Sequence, residues 1–196
     1  MKSTLVPVYI VLATLFMSCE STPATETNIQ NAKWLEVEGS GFQIKIPDYL
    51  GLINPELNPD AIFTYGNESM EVYTMVIEEE VESVNAAFLE SGQIIYQNGL
   101  SGYVNFVKDN MVNEADTVFF ISPIREEKNG EIISQSFEIE SDVDSLELFR
   151  ALRIMEVNSK YYQFHTWTLL KQKDQYKDIL FQILKSFEPK DAEPAN

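Results

Sequence analysis

The sequence predicts an α+β domain in which an antiparallel β-sheet is flanked by helices. Three observations lead to this class. Short segments with alternating apolar and polar residues occur in both halves of the chain, segments with helical periodicity lie between them, and an amphipathic helix closes the sequence. Strands joined by tight turns pair antiparallel, and helices grouped in sequence favour layers on the faces of a sheet.

The closing stretch, residues 161–187, predicts a buried strand and a helix that folds back on it. Aromatic and β-branched residues dominate the strand, with His165 and Trp167 on one face and Tyr162 and Phe164 on the other. We therefore expect both faces to contact protein.

The helix of this stretch has an apolar stripe at helical spacing. Its members are Tyr176, Ile179, Leu180, Ile183, Leu184 and Phe187. Asp174 is expected to accept from free N–H groups of the first turn, and Pro189 to stop the helix just after Phe187.

The first half of the domain predicts strands separated by turns. They cover residues 34–37, 42–47, 61–65 and 71–78, with a loop over 49–60. In the last of these strands Val72, Thr74 and Val76 alternate with the larger Tyr73, Met75 and Ile77, and the larger face is expected to be the core.

Two helices are predicted next, over residues 81–90 and 100–111, with an ambiguous segment at 93–99. Strands over 116–124 and 132–139 follow, joined by a hairpin across 126–130 that contains Asn129-Gly130. Residues 147–157 are interpreted as a strand because they lead into a tight turn at 158–160. Taken alone, residues 146–153 would also fit a helix.

Composition limits the classes of function. The chain has 196 residues, enough for one domain with a sizeable core, and a formal net charge of -17. Its 14 Lys and Arg residues are scattered among 31 Asp and Glu residues, so the basic patch that a nucleic-acid partner requires is missing. Such acidity is typical of a soluble surface.

The amino terminus indicates the compartment. Lys2 is followed by an apolar run over residues 5–17, and Ser18 stands directly before Cys19, the only cysteine. This pattern resembles a bacterial lipoprotein signal peptide with its lipobox, although Phe16 and Met17 depart from the usual residues. The resemblance implies cleavage before Cys19, with a diacylglycerol on its sulfur and an acyl chain such as palmitate on its new amino group.

The lipoprotein signal has two alternatives. An uncleaved transmembrane helix needs about 20 apolar residues, more than this run supplies. An ordinary secretory signal would leave Cys19 as a free thiol. The predicted organisation is a signal peptide over residues 1–18, a flexible tether over 19–33, a single domain over 34–189 and a disordered tail over 190–196.

Four groups of residues are candidates for a functional site. His165, the only histidine, is expected to be packed rather than reactive. Residues 142–145 resemble the start of a calcium loop but lack the rest of the pattern, and the acidic run 78–82 is expected to be a solvated loop. A set of aromatic side chains either packs in the core or borders an apolar groove, with the core favoured: Tyr49, Phe63, Tyr65, Tyr73, Tyr161, Tyr162 and Trp167.

The element order resembles a known fold. The chain has the pattern GFQIKIP near the start, paired strands, a central helical segment, and a closing YYQ, TWTL and Ser186-Phe187. This arrangement is similar to the PsbP/Mog1-like α/β/α sandwich, in particular to uncharacterised lipoproteins of Bacteroidota. The likeness covers residues 41–187. It implies a central antiparallel sheet flanked by helices, and members that act as assembly factors, small-protein binders or envelope stress components. No functional residue transfers with it.

The resulting hypothesis is a non-enzymatic binding or assembly module in the cell envelope. It is anchored through acylated Cys19, most simply on the periplasmic face of the outer membrane, and binds a protein or a small apolar ligand. No cofactor, metal site or catalytic residue is predicted. The alternatives are a carboxylate-dependent hydrolase acting on glycans, which would need two acids about 5 to 10 Å apart in an open cleft, and a structural or stress-response lipoprotein.

Overall fold

The computed structural model describes residues 32–39, 41–53, 58–97 and 99–190. Eleven strands lie in these residues: β1 (Trp34–Gly39), β2 (Phe42–Pro47), β3 (Gly51–Leu52), β4 (Ala61–Asn67), β5 (Val72–Glu80), β6 (Thr117–Ile121), β7 (Arg125–Asn129), β8 (Ile132–Val143), β9 (Leu146–Val157), β10 (Lys160–Leu169) and β11 (Glu188–Pro189). The same residues form three α-helices: α1 (Val81–Glu90), α2 (Gly99–Glu114) and α3 (Lys173–Lys185). Short 3-10 turns cover Ile94–Tyr96, within the segment that the sequence left ambiguous, and Leu170–Gln172.

Eight of these strands form one antiparallel sheet, which confirms the predicted α+β class. Their order is β3-β4-β5-β10-β9-β8-β6, and β7 also pairs with β8. The strand β10 lies between β5 and β9 and pairs with both along nearly its whole length. Because a central strand has protein on both edges and both faces, its side chains are buried almost without interruption.

Helices cover both faces of this sheet. The helix α3 packs on β9 and β10, and buries Tyr176, Leu180, Ile183 and Leu184 there. On the other face, α1 and α2 pack over β8, β9 and β10 around a core that includes Phe88, Tyr103, Val107, Phe137, Ile154 and Tyr161. The sheet therefore lies between two layers of helix, as the resemblance implied.

A second sheet was not expected from the sequence. It contains β1, β2 and β11 in that order and lies beside α3. The prediction that Pro189 stops α3 just after Phe187 is wrong, because the helix ends at Lys185 and Pro189 belongs to β11. Ser186 explains this ending: its hydroxyl accepts from the N–H of Lys45 at 3.0 Å and also contacts the Lys45 carbonyl oxygen at 3.0 Å, so the chain leaves the helix along β2.

The predicted hairpin after β6 is correct in place but wrong in its partner strand. The strand opposite β8 is β7, in the segment expected to be a turn, and the loop contains only Gly130 and Glu131. Gly130 has a φ of 62°, which suits its lack of a side chain. Pro123 lies between β6 and β7, and both strands pair with different parts of β8. The residues of β7 are all exposed, so no apolar alternation marks this edge strand in the sequence.

The connections of β9 confirm that it is a strand and not a helix. Asp144 and Ser145 join β8 to β9, and Asn158 and Ser159 join β9 to β10. All four have positive φ between 52° and 67°, the conformation of two-residue hairpin turns whose twist matches that of the strands. A further difference from prediction is β3, two residues of the expected loop, which pair with the outer edge of β4.

Candidate functional site

A cleft of about 670 Å³ opens between α2 and the sheet. Its apolar lining includes Met75, Ile77, Phe106, Met111, Leu148 and Trp167. The helix α2 covers the region of β8 to β10 more completely than that of β5, and the uncovered part of the sheet forms the floor of the cleft.

This cleft corrects the prediction about β5. The smaller residues Val72, Thr74 and Val76 are fully buried, whereas the larger Met75 and Ile77 are only half-buried and face the cleft. The prediction places the larger side chains of β5 on the better covered face. In the structure, the face of β5 that carries the smaller side chains is fully covered, while the cover on the face that carries the larger side chains is interrupted by the cleft.

A chain of buried and partly buried polar side chains borders the cleft. Glu79 accepts hydrogen bonds from the hydroxyl of Tyr103 and from Nε2 of Gln163, the latter at 3.0 Å. The same amide nitrogen donates to the Tyr103 hydroxyl oxygen at 2.6 Å. Burial, followed by the bond to Glu79, raises the pKa of Tyr103, so its proton stays on the oxygen that donates.

These bonds fix the state of His165. Because both N–H groups of the Gln163 amide are used, its carbonyl oxygen faces the imidazole and accepts from Nε2 at 3.0 Å. Nδ1 is then the acceptor nitrogen. Burial, and secondly the charge of Arg150, lower the pKa of His165 from 6.5 to about 3, so the ring is neutral at pH 7. His165 is 8 % exposed and packed, as predicted, yet it also lines the cleft.

Arg150 is the cation of this cleft. It stands on β9 opposite Trp167 and donates from Nη2 to the hydroxyl of Ser141 at 2.9 Å. Its Nε is buried without a hydrogen-bond partner among the described residues. Burial lowers the pKa of Arg150, and the carboxylate of Glu114 partly opposes this shift.

The acidic run 78–82 is not a solvated loop, which corrects that prediction. Glu78, Glu79 and Glu80 are the last residues of β5 and pair with β10, and α1 begins directly after them. Glu78 forms a salt bridge with Lys160. Successive side chains of the run lie on opposite faces of β5, so Glu78 pairs with Lys160 of β10 and Glu79 with Tyr103 of α2.

The remaining candidate residues do not all lie at the cleft. Asp142 and Val143 end β8, while Asp144 and Ser145 form the hairpin turn, which accounts for a polar pattern that resembles a calcium loop. In the described part of the chain, no three His, Cys, Asp or Glu side chains group closely enough to hold a metal ion. Among the aromatic residues, Tyr161 and Tyr162 are in the core, and Trp167 borders the cleft with Tyr73 stacked on it at 5.3 Å.

The predicted lipidation site, Cys19, lies outside the described residues, as do the signal peptide and nearly all of the tether and tail. Over the ranges described, no helix is both long enough and apolar enough to cross a membrane.

Similarity to solved structures bears on the fold. The chain superposes on cyanobacterial PsbP, CyanoP, of Synechocystis with a TM-score of 0.53 and 11% identity, over 81% of this chain and 93% of that one. It has a PsbP-like fold. LpqN of Mycobacterium tuberculosis, described as involved in cell envelope biogenesis, also resembles it, with a TM-score of 0.50, 10% identity, and coverage of 82% and 92%.

At these identities the PsbP-like fold is established and nothing beyond it. Comparison with protein-family models and with curated protein sequences gave no match.

Proposed function

We propose that this chain is a lipid-anchored cell-envelope protein whose PsbP-like domain acts as a non-enzymatic binding module and holds a small ligand in the cleft beside α2. One observation carries the proposal: a cleft of about 670 Å³ in which Gln163, His165 and Arg150 converge among apolar side chains. Binding sites for small molecules are typically concave, mostly apolar and provided with a few fixed polar groups.

The fixed polar groups make the cleft selective without requiring it to rearrange. Gln163 and His165 are held by Glu79 and Tyr103, so their orientation is set before a ligand arrives. A preorganised site loses less conformational entropy on binding than a mobile one. The cleft thus combines apolar area for affinity with fixed polar atoms for specificity.

The alternative of a carboxylate-dependent hydrolase is supported less well, because two of the acids at the cleft are already paired within the protein. Four acids border the cleft: Asp60, Glu78, Glu79 and Glu114. Glu79 is bound by Tyr103 and Gln163, and Glu78 by Lys160, so both carboxylates serve to hold the structure. His165 contacts an amide, which does not provide the activated nucleophile of covalent catalysis.

The proposed envelope location is supported by Cys19 and by the similarity between the fold of this chain and that of LpqN. Acylation at Cys19 would place the domain at a membrane surface, and we assign it to the periplasmic face of the outer membrane. Several acyl chains on one residue suffice for stable anchoring. Radiolabelled palmitate should be incorporated into the wild-type chain in a bacterial host and be lost in Cys19→Ser at equal expression. Labelling that persists in Cys19→Ser would disprove the anchor.

The binding function is tested by what purifies with the protein. The full chain is isolated from envelopes of its native host, and bound small molecules are identified by mass spectrometry. Asn110→Trp places a large side chain into the cleft from α2, whereas Asn105→Trp adds the same group at an exposed position of the same helix. We expect bound molecules in wild type and Asn105→Trp and their loss in Asn110→Trp. Equal recovery from both variants, or no bound molecule in wild type, would contradict the function.

A further inference from the structure

Arg150 carries a buried donor that the described protein leaves unused. Its guanidinium lines the cleft, donates to Ser141 through Nη2, and has Nε enclosed without an acceptor. None of the salt bridges among the described residues includes Arg150. Enclosing a cation and a donor without an acceptor is unfavourable, and a bound anion would remove that cost.

The neighbours of Arg150 define the rest of the ligand. His165 lies on the adjacent strand, on the same face of the sheet, and its neutral ring adds no second positive charge there. Met75, Ile77 and Leu148 supply apolar surface in the same cleft. A ligand that pairs with Arg150 and packs against these apolar side chains has one anionic group and an apolar body.

We propose that the cleft binds an amphipathic acid, a molecule with a single carboxylate or phosphate that pairs with Arg150 and an apolar portion that packs against the cleft floor. The proposal rests on the binding function proposed above and specifies its ligand class. Carboxylate and phosphate oxygens both match the planar donor fork of arginine.

The acidity of the protein does not oppose this. At 0.15 M ionic strength, salt screens the fields of carboxylates that lie more than about 8 Å away. The attraction between Arg150 and an anion bound beside it is screened less, because Arg150 is partly enclosed. Glu78 and Glu79 are held by donors of the protein, and Glu114 and Asp60 remain at the border of the cleft. Those two acids would disfavour a ligand with several negative charges, so we expect one anionic group.

The test compares three probes with the same eight-carbon chain: octanoate, octyl phosphate and 1-octanol. Their affinities are measured by calorimetry on the full chain carrying Cys19→Ser, so that no acyl group competes. We expect one of the two anions to bind at least about tenfold more tightly than octanol, the size of effect that one charge-assisted hydrogen bond supplies. Octanoate and octyl phosphate separate a carboxylate ligand from a phosphate ligand.

The variants assign the preference to one side chain. Arg150→Met should abolish the preference for the anion and leave octanol binding nearly unchanged. Arg153→Met is the matched control, since Arg153 stands on the same strand but points to the opposite face, where it donates to Ser134 and to the Leu184 carbonyl. It should keep the preference. If Arg150→Met does not fold, Arg150→Lys retains the charge without the fork and should bind the anion more weakly than wild type but more tightly than it binds octanol.

Several results would overturn the inference. One is octanol binding as tightly as both anions. Another is an anion preference that persists in Arg150→Met, and a third is no binding of any probe. The proposed function has a separate outcome, because a neutral molecule recovered from the native envelope and lost in Asn110→Trp would support the binding module while contradicting the acidic ligand.

Discussion

The side-chain amide of Gln163 stands between a carboxylate and an imidazole. Its two N–H groups bond to Glu79 and Tyr103, so only its carbonyl oxygen is left for His165. A change at any one of these four residues would leave a buried polar group without a partner, which typically costs about 1–3 kcal/mol. The network therefore couples the charge state of His165 to the packing of α2 on the sheet.

His165 should remain neutral in mildly acidic solution. Its folded pKa of about 3 lies below the ordinary 6.5, so between these values the unfolded chain binds the proton and the folded chain does not. The stability that this group contributes is complete above about pH 6.5 and is lost as the pH falls toward 3. Because the chain has one histidine, its imidazole nitrogen signals need no assignment. We expect the Nε2–H form with no titration between pH 8 and 5; a midpoint near 6.5 would contradict the buried network.

Ile183 is expected to be a principal core residue of α3. It is fully buried, whereas Ile95 is 75% exposed, so the same substitution can be compared at both sites. Ile183→Ala should lower the free energy of unfolding by about 2–5 kcal/mol through lost burial and a cavity, and Ile95→Ala by less than about 0.5 kcal/mol. Urea unfolding monitored by circular dichroism measures both. Equal stability of the two variants would show that α3 is not part of the core.

The residues of the candidate site were only partly accessible from the sequence. His165 attracted attention as the only histidine, and Trp167 as one of the aromatic residues. Gln163, Tyr103 and Arg150 did not, since each lies in a different element and has a common residue type. Their one available signal is the alternation of β10 and β9, which puts Gln163, His165 and Arg150 on one face once the register is known.

The hairpins of the large sheet depend on positive φ at their turns. Both turns around β9 use residues with side chains in this conformation, at Asp144-Ser145 and Asn158-Ser159. Asparagine and aspartate adopt it at lower cost than serine does, and glycine adopts it freely. The second position of each turn therefore carries avoidable strain.

Exchange of serine and glycine at two turns tests this explanation. Ser145 has a φ of 67° and Gly130 one of 62°, so the reciprocal changes should act in opposite directions. Ser145→Gly should raise stability by up to about 1 kcal/mol, and Gly130→Ser should lower it by a similar amount. Thermal melting of both variants and of wild type measures these changes in stability. A fall in melting temperature with Ser145→Gly would refute the role given to backbone conformation.

Elements with strong hydrophobic periodicity were predicted well, whereas strands held mainly by backbone hydrogen bonds to a neighbouring strand were not. The buried stripes of α2 and α3 and the density of aromatic residues in β10 appear directly in the sequence. The strand β7 is exposed throughout, and β11 has only two residues, one of them Pro189. Such edge strands need a neighbouring strand more than a particular side chain, so their sequences carry little information.

For the molecule as a whole, the two layers on the large sheet are unequal. On one face, α3 packs on β9 and β10, and Phe42 of β2 contacts Tyr162 of β10 with the ring centroids 6.4 Å apart. On the other face α1 and α2 leave the cleft. The sequence predicted that both faces of β10 would be covered, but the completeness of each layer depends on where the helices lie, which the hydrophobic pattern of one strand does not specify.

The central claim is that this cleft is where the protein binds its ligand. Its methionines allow a direct measurement, because Met75 and Met111 line the cleft while Met70 and Met155 are buried and do not line it. The full chain carrying Cys19→Ser and labelled with ¹³C at the methionine methyl groups is titrated with small molecules extracted from the native envelope, and methyl spectra are recorded. We expect the signals of Met75 and Met111 to shift and saturate while those of Met70 and Met155 stay in place. Unchanged signals of Met75 and Met111, or equal shifts at all four residues, would contradict the claim.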